Sequence, residues 1–350
     1  MKQAHSEASC GRGELALLAE IRQRVGHAAI PGQKGSLRLG IGDDCALLTP
    51  RRGEELAVTT DLSIDGRHFR LNWHQPEAVG HRVLARGLSD LAAMGARPVA
   101  AFLSLGLPRS LTAAASGRPR AGSRTWVQRF LDGFLALAEV CNTPLAGGDL
   151  AESTLAVADI VLVGALPRGR ALLRSGAKPG DLLYVTGALG GAAAGLARLA
   201  ELASRGRPIP PRIPKKLEEL LAPHLYPQPR IAQGLWLQRR GLASAALDLS
   251  DGLSSDLAHL CEESGVAAEV DATLVPLGLG ANLAQALHGG EDYELLFTAS
   301  PAARLPRVIA GVPVTRIGRV LRARAGRQTA SLLTPQGAEP LEAHGWEHFC

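Results

Sequence analysis

Three observations predict an α/β (α+β) fold in two domains. Short β-branched or apolar runs alternate along the chain with segments of helical spacing, which is the pattern of mixed α/β architectures. The chain has 350 residues, the length of two ordinary domains. Hydrophobic residues make up 46% but aromatics only 4%, so a sizeable core must be filled by Ala, Leu and Gly. The 40 glycines cluster beside acids and hydroxyls rather than in a low-complexity tract, and no repeat of fixed period is visible.

The elements follow in order. Residues 14–26 have helical spacing and end in Gly26. Leu39 to Leu48 reads as strand, Gly-Asp-Asp turn and second apolar run, and Glu55 to Asp61 as a β-branched strand ending in an acid. Glu77 to Met94 is predicted helical, stopped by Gly95 and Pro98. Val99 to Leu107 is a strand, 110–124 a flexible insertion, and Trp126 to Cys141 a helix burying Phe130, Leu131, Phe134, Leu135 and Leu137. Pro144–Asp149 and Leu155–Leu166 are strands. The turn to Arg, Lys, Gly and Pro near 167–180 places a boundary between domains 1–166 and 167–350. Beyond it, Asp181–Thr186 is a strand leading through Gly187-Ala-Leu-Gly-Gly191 into an Ala-rich helix, 205–230 is a Pro- and Arg-rich stretch, and 231–240 is a helix. Ala245–Leu249 is a strand running into Ser-Asp-Gly252, Leu253–Ser264 a helix closed by Gly265, Ala268–Val270 a short strand and Ala281–His288 a helix.

Composition excludes several functions. A net charge of +5 suits anionic ligands, but the basic residues are scattered, with no run suited to a nucleic-acid arm. Five widely spaced cysteines without a CxxC argue for reduced thiols and against a disulfide framework or zinc site. No apolar leader is read at the N-terminus, and the charge-free run Ala272–Gly290 is broken by Pro276, Asn282, Gln285 and glycines, so a soluble, cytoplasmic protein is expected.

The chemistry lies in five short acidic motifs: Gly42-Asp-Asp44, Thr59-Thr-Asp61, Ser89-Asp90 on the helix Arg86–Pro98, Gly147-Gly-Asp149 and Asp248-Leu-Ser-Asp251. Carboxylates gathered without a cation would raise one another's pKa. Magnesium (Mg2+) takes oxygen ligands and keeps several waters, so a few carboxylates and a hydroxyl suffice for each ion, and several such ions suit a polyphosphate. Histidine and cysteine are nearly absent from these motifs, against zinc. Each motif also has a plainer reading. Gly-Asp-Asp is commonly just a turn, and Ser250 or Asp251 could simply cap a helix. The Gly187–Gly191 turn could cradle phosphate, although no Walker lysine follows. Gly289-Gly-Glu-Asp292 could be a solvated hairpin, and His68 and Arg174 surface residues.

Longer strings weigh on these alternatives. Gly40-Ile-Gly-Asp-Asp-Cys-Ala-Leu-Leu48, Gly66-Arg-His-Phe69, Leu88-Ser-Asp-Leu-Ala-Ala-Met-Gly-Ala96, Gly169–Asp181, Asp248-Leu-Ser-Asp-Gly-Leu253 and Gly289-Gly-Glu-Asp-Tyr-Glu-Leu295 together resemble the thiamine-monophosphate kinase family, related to aminoimidazole ribonucleotide synthetases. The resemblance implies a two-domain fold whose N-terminal sheets pair into a barrel across a homodimer. It implies direct phosphoryl transfer from ATP to thiamine monophosphate, with magnesium and without an enzyme-bound intermediate. By the same resemblance Asp44, Thr59, Thr60, Asp61, Asp90, Asp149, Asp248 and Asp251 are magnesium ligands. Gly148, Asp149, Arg174 and Ser250 are nucleotide-phosphate contacts. His68, Glu291 and Trp346 are substrate contacts, Trp346 by stacking on the thiamine ring. Two departures from the family pattern stand near this site: Leu150-Ala151 replaces Thr-Thr, and Gly190-Gly-Ala192 replaces Gly-Asp-Ser.

Overall fold

The computed structural model describes residues 14–25, 36–112, 124–206, 214–323 and 329–346, with Phe349. The expected insertion at 110–124 falls largely outside them. The elements in order are α1 (Glu14–Val25), β1 (Leu37–Leu39), β2 (Leu47–Leu48), β3 (Glu54–Ile64), α2 (Pro76–Ala93), β4 (Arg97–Leu107), the single turn α3 (Arg109–Thr112), α4 (Trp126–Val140), β5 (Leu145–Glu152), β6 (Val157–Pro167), β7 (Leu182–Thr186), α5 (Gly191–Ser204), α6 (Lys215–Leu225), α7 (Ile231–Arg240), β8 (Ala245–Asp248), α8 (Leu253–Ser264), β9 (Val266–Asp271), α9 (Leu283–His288), β10 (Leu295–Ala299), β11 (Val308–Ile309), β12 (Val312–Arg322), β13 (Ala330–Thr334) and β14 (Gly337–Pro340). The mixed α/β class read from the sequence is the class observed.

The chain falls into two compact units. One takes the residues through Arg51, Thr60–Leu84 and Val99–Leu162; the other takes Arg52–Thr59, Ala85–Pro98 and the residues from Val163 on.

In the first unit α4 crosses α2 at two glycines. A Cβ on Gly80 would overlap the Phe130 carbonyl, and one on Gly133 the Glu77 carbonyl, so the backbones meet only because neither residue has a side chain. Arg129 clamps the crossing with a bidentate pair to Glu77 at 2.7 and 2.8 Å. Phe130, Leu131, Phe134 and Leu137 of α4 are buried as expected, whereas Leu135 sits at the rim of the apolar stripe and is half-buried. Thr125 and Gln128 close the start of α4 with a capping box.

A four-stranded sheet has the order β3-β6-β4-β5, with β4 and β5 parallel and Ser104 opposite Asp149. β3 is its edge strand and alternates, with Leu56, Val58, Thr60 and Leu62 exposed between half-buried or buried neighbours.

The second unit is built on a sheet of order β14-β13-β9-β12-β7-β10-β8, with β11 added to β12. Strand alternation divides its core between the two faces. Leu247 and Leu296 join Leu253, Leu257 and Leu260 of α8 on one face, while Ala246, Leu295 and Phe297 join Leu237 of α7 and Ala92 and Ala93 of α2 on the other. Gly234 of α7 lies hard against the Ala92 carbonyl.

Two features escaped the sequence. α6 lies inside the Pro-rich stretch at 205–230 and even contains Pro223. Its signal was Leu217, Leu220, Leu221 after Pro214, which is helical spacing hidden among helix breakers. Strands β10 to β14 lie in a stretch where no strand was expected. No described helix is long and apolar enough to cross a membrane.

Candidate active site

The helix that carries Asp90 stops at the glycine expected to end it. α2 ends at Ala93, and Gly95 (φ +66°) turns the chain, with the amides of Gly95 and Ala96 returning to the carbonyls of Ala92 and Leu91. This leaves Asp90 in the last turn, where the Thr59 hydroxyl of β3 donates to Asp90 Oδ2. Its neighbour Ser89, fully buried, donates to Asp248 Oδ2 at 2.6 Å. Asp248 closes β8 and is 5% exposed. Thr59, Asp90, Asp248 and the exposed Arg174 thus line one cavity of about 440 Å3. Three acidic motifs and the arginine, separated by up to 189 residues in sequence, share one pocket in the second unit.

Beyond Asp248 the chain makes the turn Ser250-Asp251-Gly252. Neither Ser250 nor Asp251 caps α8, contrary to the plainer reading. Gly252 (φ +114°) holds the N-cap position, and Asp256, one turn inside the helix, accepts the amides of Asp251 and Gly252 at 3.1 and 3.0 Å. Burial pushes the Asp256 carboxyl up to about 8, reinforced by the charges of Asp248 and Asp251.

The Gly289–Asp292 string is no solvated hairpin. Asp292 accepts the amides of Gly190 and Ala192 at 2.6 and 3.0 Å, and burial pushes it up to about 7. Gly190 lies in the glycine-rich turn read as a possible phosphate cradle and Ala192 follows it, so the protein's own carboxylate takes amides at that place. Glu294, 3% exposed, accepts Arg230 Nε and the Thr186 hydroxyl, each at 2.6 Å. Backbone bonds tie this string to the preceding motif: Glu291 N donates to Ser250 O at 2.8 Å and Tyr293 N to Leu249 O at 2.9 Å. Trp346 N donates to Asp251 O at 3.0 Å, which ties the backbone of this exposed residue (51%) to the same turn.

The first unit holds the other expected residues. Asp44 is exposed between β1 and β2, its amide bonded to Asp43 Oδ1 at 2.9 Å. Thr60 and Asp61 continue β3, and Asp149 is exposed on β5 after Gly148. His68 accepts the Ile64 amide on Nδ1 at 3.1 Å, which in the neutral ring leaves the proton on Nε2.

The donor set is carboxylate and hydroxyl oxygen, the set a hard cation takes. Among the described residues no three acidic, histidine or cysteine side chains converge as a closed metal site does. Magnesium, which keeps most of its waters and needs one or two carboxylates, fits such paired acids; zinc does not.

Residues 42–166 match the model of the AIR synthase related protein N-terminal domain, and 178–327 that of its C-terminal domain. The chain is 38% identical to the thiamine-monophosphate kinase of Escherichia coli strain K12 over 351 residues, covering 96% of this chain and 98% of that one. The chain belongs to the thiamine-monophosphate kinase family. The crystal structure of the Stenotrophomonas maltophilia K279a family member superposes with a TM-score of 0.73 at 36% identity, covering 91% of this chain and 96% of that one. The family member described as AaThiL complexed with AMPPCP and TMP superposes at 0.70 with 29% identity, covering 96% and 97%.

Sequence reasoning missed how this family member supports its acids. Ser89 was noted beside Asp90 but not as the partner of Asp248, and Asp256, Asp292 and the Arg230–Glu294 pair carried no assigned role. Asp292 and Glu294 stood in a string already singled out; the partners they meet were the missing information.

Proposed function

We propose that this protein transfers the terminal phosphoryl group of ATP directly to thiamine monophosphate, forming thiamine diphosphate. The observation that carries the reading is the cavity in which Thr59, Asp90 and Asp248 face Arg174; the family membership and the relative complexed with AMPPCP and TMP support it. The acceptor is already an anionic phosphate oxygen, so the site needs charge neutralisation and in-line placement more than a general base. Bound magnesium supplies that neutralisation at the phosphate oxygens.

The chain's residues then divide by chemistry. Asp44, Thr59, Thr60, Asp61, Asp90, Asp149, Asp248 and Asp251 hold magnesium. The Gly148 backbone, Asp149, Arg174 and Ser250 place the nucleotide phosphates. His68, with its proton on Nε2, donates to the substrate, Glu291 accepts from it, and Trp346 presents an indole face to the cationic ring. The exposed apolar row Leu56, Val58, Leu62 on edge strand β3 suits pairing with a second copy, hence a homodimer. We place the enzyme in the cytoplasm and its domains at 1–166 and 167–350.

The test is product formation from purified protein, ATP and magnesium, with thiamine monophosphate and free thiamine as parallel acceptors. Thiamine diphosphate from the monophosphate alone is the expected result. ATP binding without product from either acceptor would overturn it.

A further inference from the structure

Glu291 is held by its backbone in an unusual way. It has φ +69°, and Tyr293 two residues on has φ +51°, a region that costs L-residues energy and persists only where the surroundings impose it. The surroundings here are the bonds to Ser250 and Leu249, together with Leu249 N donating to Glu294 O at 2.8 Å. Gly290 lies so close to Ser250 that an added Cβ would stand 2.5 Å from its carbonyl oxygen.

A fixed backbone does not fix a glutamate side chain, which has three torsions of its own. The group facing its carboxylate comes from α6. His224 Nδ1 lies 3.5 Å from Glu291 Oε2, an ion pair when the imidazole is protonated, and His224 is 1% exposed. The histidine has little room to move. It sits in the last turn of α6 directly after Pro223, and α5 presses on it through Gly195, where an added Cβ would stand 3.0 Å from His224 Cβ.

We propose that His224 is a positioning residue for the substrate site, turning the Glu291 carboxylate toward the nitrogen-rich ring system of the substrate. This rests on the reading of Glu291 as a substrate contact. His224 acts through Glu291, so its role is felt in substrate affinity and not in phosphoryl transfer. α6 thereby serves the site through one side chain.

Steady-state kinetics on the full chain at saturating ATP test this, with thermal unfolding of each variant recorded beside them. His224→Leu keeps the buried volume and removes the nitrogen; it raises KM for thiamine monophosphate about tenfold and leaves kcat and KM for ATP within about threefold. His224→Asn, whose amide can stand where Nδ1 stands, restores KM to within about threefold of the parent. Glu291→Gln raises KM by itself, and adding His224→Leu to it raises KM no further. An unchanged KM in His224→Leu, an equal loss in His224→Asn, or a parallel fall in kcat would overturn the proposal. If Glu291→Gln raises KM while His224→Leu does not, the positioning role alone fails; if Glu291→Gln changes nothing, the reading of Glu291 fails and the positioning role with it. Should His224→Leu not fold, His224→Asn and His224→Gln decide: Gln reaches the Nε2 position instead, and equal KM values for the two would overturn the proposal.

Discussion

Two glycine–glycine–acid strings in this chain look alike and do opposite work. In Gly147-Gly-Asp149 and in Gly289-Gly-Glu-Asp292 glycine is required because another backbone comes close: the Leu103 carbonyl beside Gly148, the Ser250 carbonyl beside Gly290. The acids differ in what they face. Asp149 is exposed on β5, one oxygen taking its neighbour Leu150's amide at 2.9 Å. Asp292 is turned inward onto the amides of Gly190, in the Gly187–Gly191 turn, and of Ala192 just after it. An acid facing outward can serve a ligand; one already matched to backbone N–H groups holds the loop that surrounds it. The glycines report a close approach of backbones and say nothing about which way the acid points.

The comparison can be broken most sharply at the outward acid. Asp149→Asn is expected to cut turnover by about 10²–10³-fold with the melting temperature unchanged, and Asp90→Asn to do the same, because each removes a charge proposed to hold magnesium. Normal turnover in either variant would remove that residue from the site. Gly148→Ala is expected to lose stability as well as activity, by about 2–4 kcal/mol, since its Cβ would collide with the Leu103 carbonyl and φ there is +145°; chemical denaturation measures it.

The pH at which these are compared matters through His74. Burial, helped by Arg82, lowers its imidazole from 6.5 to about 4, and it is 4% exposed. The unfolded chain therefore binds the extra proton between those values. Stability is full above pH 6.5, falls as pH drops toward 4, and loses at most about 3 kcal/mol from this group. His74→Gln should flatten that part of the stability profile; an unchanged slope would show that other groups set it.

Asp292→Asn sharpens the comparison from the inward side. The amide offers one acceptor oxygen to two N–H donors, so unfolding free energy should fall by about 1–3 kcal/mol, a larger loss than Asp149→Asn produces. The smallest effect is expected at Trp346→Ala: KM for thiamine monophosphate rises by the equivalent of about 0.5–2 kcal/mol of cation–π contact, with kcat retained.

The sequence by itself determined the class of fold, most element positions and the identity of the acids. Helix 253–264 and its Gly265 cap were legible because amphipathic spacing and a left-handed glycine are local properties. The oxygen-only character of the motifs was legible because it depends on residue type alone. Tertiary structure decided the rest. It placed α6, whose spacing was masked by Pro214 and Pro223 and whose stability comes from packing on α5. It set Ser89 on Asp248, 159 residues away. It buried Glu294 and half-buried Asp292 while leaving Asp149 exposed. The last two outcomes share one physical reason. Which way a carboxylate faces is set by partners distant in sequence, and no local pattern carries the desolvation and hydrogen bonding that those partners impose.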